Sequence, residues 1–232
     1  MTPSGPDLPA VKDLLIAVPS RGRPESVARL WDAMQATCLG DTHLLVGLDD
    51  DDESGYERIP DVEYEVRAGL RGGVAWFNEL AVSRTGQFRF IGALGDDFLP
   101  RTPGWDARIM EALRRTPFAY GNEMYPGRGP GESCCHIFCR SAVVTALGYL
   151  GPPALKHMFV DNIWVQWGRA AGVTYLGDVV IEHLHPSAGK AQTDDTYQAS
   201  AALMEPDEQA WRSYCAATGG LAADIAKLKA LT

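Results

Sequence analysis

Short apolar runs along the chain alternate with stretches in which apolar residues recur every three or four positions. LLIAV (14–18) stops at Pro19, and PESVARLWDAM (24–34) then shows helical spacing with Pro24 in its first turn. HLLVGL (43–48), VEYEV (62–66) and FRFIGAL (88–94) read as further strands, and GVAWFNELAVSR (73–84) as the helix between the last two. This alternation predicts an α/β fold with a mostly parallel sheet flanked by helices, since parallel strands are apolar on both faces and need cover on both. Beyond residue 100 the rhythm loosens. TPGWDARIMEALRR (102–115), RSAVVTALGYL (140–150) and DNIWVQWGRAAG (161–172) predict helices, SCCHIF (133–138) an extended segment, and VTYL and VVIEHLH two late strands. From Pro186 strand signals stop: SAGKAQTDDTYQAS reads as loop, and the remainder as helix interrupted by Gly219 and Gly220. The expected organisation is one domain over 1–186, with a loop and helical extension over 187–232 packed on it.

In a parallel sheet, ligands bind in the crevice beyond the carboxyl ends of the strands. Asp96 and Asp97 follow the strand FRFIGAL, and adjacent carboxylates repel unless they are solvated or share a cation. A Mg²⁺ or Mn²⁺ site and a hydrated turn stand level on this motif alone. In the DDDD run at 49–52, Asp49 and Asp50 lie nearest the strand end, where a carboxylate can accept from a base or ribose. Asp51, Asp52 and Glu53 read as a hydrated loop. Arg21, Arg23 and Arg71 sit in glycine-containing turns, positioned either for phosphates or simply for solvent. His183 and His185 fall on one face of a strand end, a metal-ligand pattern; His43, His136 and His157 have no such pairing. Asp161 opens a helix, where capping is the default role and general base the alternative. Trp164 and Trp167 share a helix face and belong to the core.

Composition narrows the partners. The 232 residues are 46% hydrophobic and 22% charged, enough for one ordinary core. A net charge of −9 excludes broad electrostatic binding to nucleic acid and leaves only local contacts. Five cysteines without a C-x-x-C spacing predict reduced thiols, with neither a disulfide framework nor a zinc site. No apolar run is long enough for a signal segment or a membrane span, so a cytoplasmic protein without a membrane partner is expected.

Taken in order, these motifs resemble the GT-A fold glycosyltransferases, in particular the family-2-like group and its compact phage-type members, from about Leu14 to Pro186. IAVPSRGRP is similar to that family's first strand and nucleotide-binding loop, LVGLDDDD to its second strand ending in an acid at the nucleoside, and RGGVAWFNELA to a segment that approaches the nucleotide. GALGDDFLP resembles the metal-carrying D-x-D segment, with Leu94 at the position of the first aspartate. FVDNIW resembles the helix start bearing the catalytic acid of inverting members, with Val160 where a second acid is common, and IEHLHP resembles the strand whose histidine completes the metal shell. The resemblance implies metal-dependent transfer of a sugar from a nucleoside-diphosphate sugar, with UDP favoured, to an acceptor hydroxyl, with inversion. It places Pro19, Arg21, Arg23, Asp49, Asp50, Arg71, Asn78 and Asp96 at the donor, Asp96, Asp97, His183 and His185 at Mn²⁺ or Mg²⁺, and Asp161 as the base. Among acceptors it suggests hydroxymethylated or otherwise modified pyrimidines in DNA. The loop after His185 is expected to close over the donor with Lys190 near the diphosphate. A nucleotidyltransferase would show a longer Gly-rich phosphate loop than PSRGRPES, and a non-catalytic binding module would not need Asp161.

Overall fold

The computed structural model describes residues 11–69, 72–132 and 134–232. Eight strands form one sheet: β1 (Lys12–Pro19), β2 (Thr42–Asp49), β3 (Glu63–Arg67), β4 (Phe88–Ala93), β5 (Phe98–Pro100), β6 (Phe118–Asn122), β7 (Ile137–Arg140) and β8 (Val173–His183). Their spatial order is β3-β2-β1-β4-β7-β6-β8-β5. The β1, β2, β3 and β4 pairings are parallel, as is β6 with β8; β7 runs antiparallel to both neighbours, and β5 antiparallel to β8. Reversing β7 puts its amino end on the same rim as the carboxyl ends of β1, β2, β4, β6 and β8.

Helices α1 (Pro24–Thr37) and α3 (Trp105–Leu113) cover one face, and α2 (Gly73–Val82), α4 (Ser141–Leu147) and α5 (Val160–Ala171) the other. Strand periodicity divides the core. In β1, Leu14, Ile16 and Val18 pack with Val27, Leu30, Trp105 and Ile109, whereas Leu15 and Ala17 pack with Trp76, Leu80, Ile163 and Trp164. All of these lie at 3% exposure or less, so the continuous apolar runs reflect burial on both sides. Trp164 and Trp167 are core, as their spacing predicts.

Several elements depart from the sequence reading. FAYGN forms β6, unrecognised because it is short and ends in Gly-Asn, a pattern typical of turns. FLP within the expected turn forms β5, and the two late strands are one strand that passes through Gly177. TDDTYQAS is helical: α6 (Asp195–Ala201) is capped by Asp194, whose carboxylate accepts from the Tyr197 N–H. Helices α7 (Met204–Ala216) and α8 (Leu221–Lys229) follow, separated at the Gly pair as expected.

The extension is bound to the sheet-bearing part by buried acids. Asp207, 1% exposed, accepts from the backbone N–H groups of Lys156 (3.0 Å), His157 (2.7 Å) and Met158 (2.7 Å). Asp224, equally buried, accepts from the hydroxyls of Tyr149 (2.6 Å) and Tyr214. Phe159 stacks on Trp211 with ring centroids 5.3 Å apart. These contacts hold the segment that leads into α5. Among the described residues, no helix is long and apolar enough to cross a membrane.

Candidate active site

The rim of the sheet gathers charge from six strand ends. After β1, the Ser20 hydroxyl donates to Asp96 Oδ2 (2.6 Å) and lies 2.9 Å from the Tyr56 hydroxyl, which accepts from the Arg23 N–H. Arg23 Nη1 donates to Asp96 Oδ1 (3.2 Å). Burial, followed by the neighbouring charge of Asp97, lifts the Asp96 carboxyl to about 6 against the pull of Arg23 and Ser20. Burial acts on Asp97 the same way, but His183 and then the Tyr197 hydroxyl more than reverse it and hold this carboxyl below its ordinary range. Asp97 Oδ2 lies 3.3 Å from His183 Nε2 and accepts from Tyr197 (2.8 Å). The two adjacent acids are therefore tolerated by splitting: one is pushed toward its neutral form while the other stays ionised.

After β2, Asp49 is 2% exposed and accepts from Trp76 Nε1 (3.1 Å) and Arg21 Nη1 (3.0 Å). Gly47 makes room for this: a Cβ there would meet the Trp76 ring at 2.5 Å. Arg21 also forks onto both oxygens of Asp51 (2.7 Å each), and Asp52 accepts from the Gly22 N–H (2.6 Å). Asp51 and Asp52 thus order the β1 turn, a role the sequence does not suggest, while Asp51 stays exposed as expected of a hydrated loop. Asp50 is exposed and accepts from the Gly69 N–H (3.1 Å).

On the other side of the rim, Asp161 lies at the start of α5. The residue preceding this helix is Phe159, in left-handed backbone (φ 65°), and no side chain caps it. Asp161 therefore is not the cap expected from sequence. It accepts from its neighbour's Asn162 N–H (2.9 Å) and from Arg128 Nη1 (3.0 Å). Burial raises its carboxyl above the ordinary value despite Arg128. His157 sits between the two halves: burial lowers its imidazole, and the charges of Asp97, Arg23 and Asp161 all reach it.

Glu123 follows β6, and Cys135 precedes β7. One ligand atom from each, together with one from His183, lies within 4.8 Å of the others. Glu123 Oε1 accepts from the Cys135 N–H and faces His136 Nδ1 at 3.1 Å, too obliquely for a hydrogen bond. His136 Nε2 accepts from the Gly121 N–H, so in the neutral ring the proton is on Nδ1.

Other sequence candidates are placed differently. His185 lies beyond the strand, and its Nδ1 accepts from the Ser187 N–H (3.1 Å), which removes that nitrogen from a metal shell; its ring is 5.1 Å from that of His183. Asn78 is committed to a turn: Oδ1 accepts from the Leu150 and Gly151 N–H groups and Nδ2 donates to the Gly151 carbonyl, all at 2.8 Å. Lys190 pairs with Glu182 (2.9 Å) and donates to the Met124 carbonyl (2.8 Å), not to the Arg23 side of the rim. Pro19 ends β1, paired with Gly47. Arg71 lies outside the described residues. Asp194 forks onto Arg23 (2.7 and 2.8 Å), whose guanidinium lies 4.0 Å from the Tyr197 ring centroid. Nothing in the sequence announces that pair, because its members are more than 170 positions apart in the chain.

No family model matches the sequence, and no curated protein does. Solved structures do match in shape. TarS 1–349 from S. aureus superposes with a TM-score of 0.58 at 11% identity, covering 89% of this chain and 74% of that one, and it has also been solved in complex with UDP. Rv0371c from Mycobacterium tuberculosis H37Rv, in complex with manganese, gives 0.54 at 17% identity over 82% of this chain and 98% of that one. The mannosyltransferase PcManGT from Pyrobaculum calidifontis, in complex with GDP-Man and Mn²⁺, gives 0.56 at 12% identity over 96% and 81%. The chain accordingly has the GT-A fold, with the acidic rim just described at the carboxyl edge of its sheet.

Proposed function

We propose that this chain transfers a sugar from a nucleoside-diphosphate sugar to an acceptor hydroxyl with a divalent metal bound. The observation that carries the reading is the convergence on one rim of an ionised Asp97 beside His183, a half-buried Arg23, and Asp161 held by Arg128. The solved GT-A structures support it by their ligands: UDP in TarS, and GDP-Man with Mn²⁺ in the mannosyltransferase.

Asp97 and His183 fit a manganese-class ion. They offer one ionised oxygen and one imidazole nitrogen side by side, with Asp97 Oδ2 3.3 Å from His183 Nε2, a donor set that such an ion accepts. Asp96 is a poorer ligand, since both of its oxygens already accept from Ser20 and Arg23. When bound, the ion neutralises charge developing on a leaving diphosphate. Arg23 supports the same diphosphate by exchanging Asp194 for phosphate oxygens, an exchange of one bidentate anion for another. Asp49 and Asp50 flank the nucleoside side of the rim. Asp161, whose carboxyl is shifted upward, takes the acceptor proton on the side facing α5, so that transfer proceeds by one displacement with inversion. UDP-hexoses are the favoured donors. A hydroxymethylated pyrimidine is one acceptor compatible with a chain of net charge −9 only if contact is local.

The deciding experiment is a panel of nucleotide sugars assayed for Mn²⁺-dependent nucleoside diphosphate release, alone and with modified DNA, protein or glycoside acceptors. Anomeric configuration of the product is read by NMR. Failure of every donor either to bind by calorimetry or to turn over, with Mn²⁺ present and the protein folded, would remove the proposal.

A further inference from the structure

Next to the donor side of the rim lies a group of ligand atoms of which the proposed sugar transfer uses only His183. Glu123, Cys135 and His183 come from the ends of three neighbouring strands, and their three ligand atoms fall within 4.8 Å of one another. Glu123 and His183 are 2% and 6% exposed, and Glu123 Oε2 and His183 Nδ1 are each buried with no hydrogen-bond partner. A buried polar atom left unsatisfied is costly, and two of them in residues grouped with one thiol need a common explanation.

The framework around them is rigid. The His183 N–H donates to the Glu123 carbonyl (2.9 Å), which locks the ends of β6 and β8 together. The Cys135 N–H holds Glu123 Oε1, leaving Oε2 as the oxygen without a partner. Phe98 stacks on His183 with centroids 4.2 Å apart and fixes the ring plane. A carboxylate, an imidazole and a thiolate form a mixed, borderline-soft donor set. Such a set favours zinc-class ions over manganese or magnesium, and three protein ligands leave a fourth position open.

We infer that Glu123, Cys135 and His183 form a binding site for a zinc-class divalent ion. Since His183 also meets Asp97, occupation of this site excludes the harder ion of the donor site. The exclusion rests on the proposed sugar transfer; the binding of a zinc-class ion does not. The inference runs against the expectation, drawn from the absent C-x-x-C spacing, that the cysteines mark no zinc site: the proposed ligands lie apart in sequence and are brought together by the sheet.

Metal-free protein is titrated with Co²⁺ in the absence of nucleotide. The expected result is one equivalent bound, with a thiolate-to-cobalt absorption band in the near ultraviolet that Zn²⁺ abolishes. Cys135→Ser loses the band, Glu123→Gln moves the titration to higher cobalt, and Asp97→Asn retains the band. A wild-type protein without the band overturns the inference, as does a band that survives Cys135→Ser and so comes from another thiol. A water bridging the three groups predicts that first outcome. Should Cys135→Ser fail to fold by circular dichroism, an unchanged titration in Glu123→Gln overturns the inference instead. Exclusion is read separately from the electron paramagnetic resonance of Mn²⁺ bound with UDP: one equivalent of Zn²⁺ should release the manganese, and undisturbed Mn²⁺ refutes exclusion. If Mn²⁺ and UDP do not bind at all, the donor reading fails while the cobalt band still reports this site.

Discussion

Replacing Asp161 by asparagine separates a base from a structural ion pair, because the two roles predict opposite signs for stability. Asp161 Oδ2 accepts from Arg128 Nη1 at 3.0 Å, and asparagine keeps an oxygen there. A hydrogen bond to a charged acceptor is worth about 1.5–3 kcal/mol against about 0.5–1.5 for a neutral one, so the lost charge assistance costs about 1 kcal/mol. Burial acts the other way, and more strongly, since the net effect raises the carboxyl above its ordinary value. An acid with a raised folded value contributes stability that is complete at low pH and lost as pH rises through that value. At neutral pH the ionised form is thus the disfavoured one, and a neutral isostere should leave the fold unchanged or more stable by up to about 1 kcal/mol. Catalysis moves in the opposite direction: asparagine accepts no proton, and general-base removal costs about 10²–10⁴-fold in turnover, or about 3–5 kcal/mol of barrier. The assay pairs nucleoside diphosphate release at saturating donor with calorimetric donor affinity and urea unfolding at pH 7. Turnover within tenfold of wild type in a folded protein would refute the base assignment, and a loss of stability above about 2 kcal/mol would refute the electrostatic argument.

Three further outcomes follow from the same rim. Asp207→Ala leaves three backbone N–H groups without their buried acceptor and should lower unfolding free energy by about 3–5 kcal/mol in urea denaturation; a loss under about 1 kcal/mol would mean that water replaces the carboxylate without penalty. Asp96, lifted to about 6, should make stability fall as pH rises from about 4 to 6, because the folded protein holds a proton there that the unfolded chain has released. Asp96→Asn should flatten that slope, and an equal slope in the variant would reassign it to another group. Asp194→Ala frees Arg23 from its bidentate partner and should tighten UDP binding severalfold by calorimetry; weaker binding would make Asp194 part of the donor site instead.

What could be read from the sequence divides by distance along the chain. The first half of the sheet is legible because LLIAV, HLLVGL and FRFIGAL are buried on both faces and carry their own signal. β6 and β5 are not, since FAYGN and FLP are short and surrounded by turn residues, and their pairing is set by β7 and β8. The site follows the same rule. Asp97, His183, Asp161 and Arg23 sit at recognisable strand and helix ends, and the rim brings Asp97 against His183 and Arg23 against Asp96. Glu123 and Cys135 lie beside elements that the sequence does not announce. Asp194, Tyr197 and Asp207 are unreadable because their chemistry depends on partners 49 or more positions away. Asn78 illustrates the converse: its position suits a ligand, but its amide oxygen and nitrogen both bond to a turn.

The three amides of residues 156–158 find their acceptor only at position 207, and the hydroxyl that meets Asp97 arrives at position 197. The sheet itself is complete by His183, so the strands can be in place along the chain while the approach to Asp161 still lacks its anchor. A stop between 184 and 206 would keep every strand and leave the amides of 156–158 without their acceptor, so the order of the segment before α5 is set by residues that contribute nothing to the sheet.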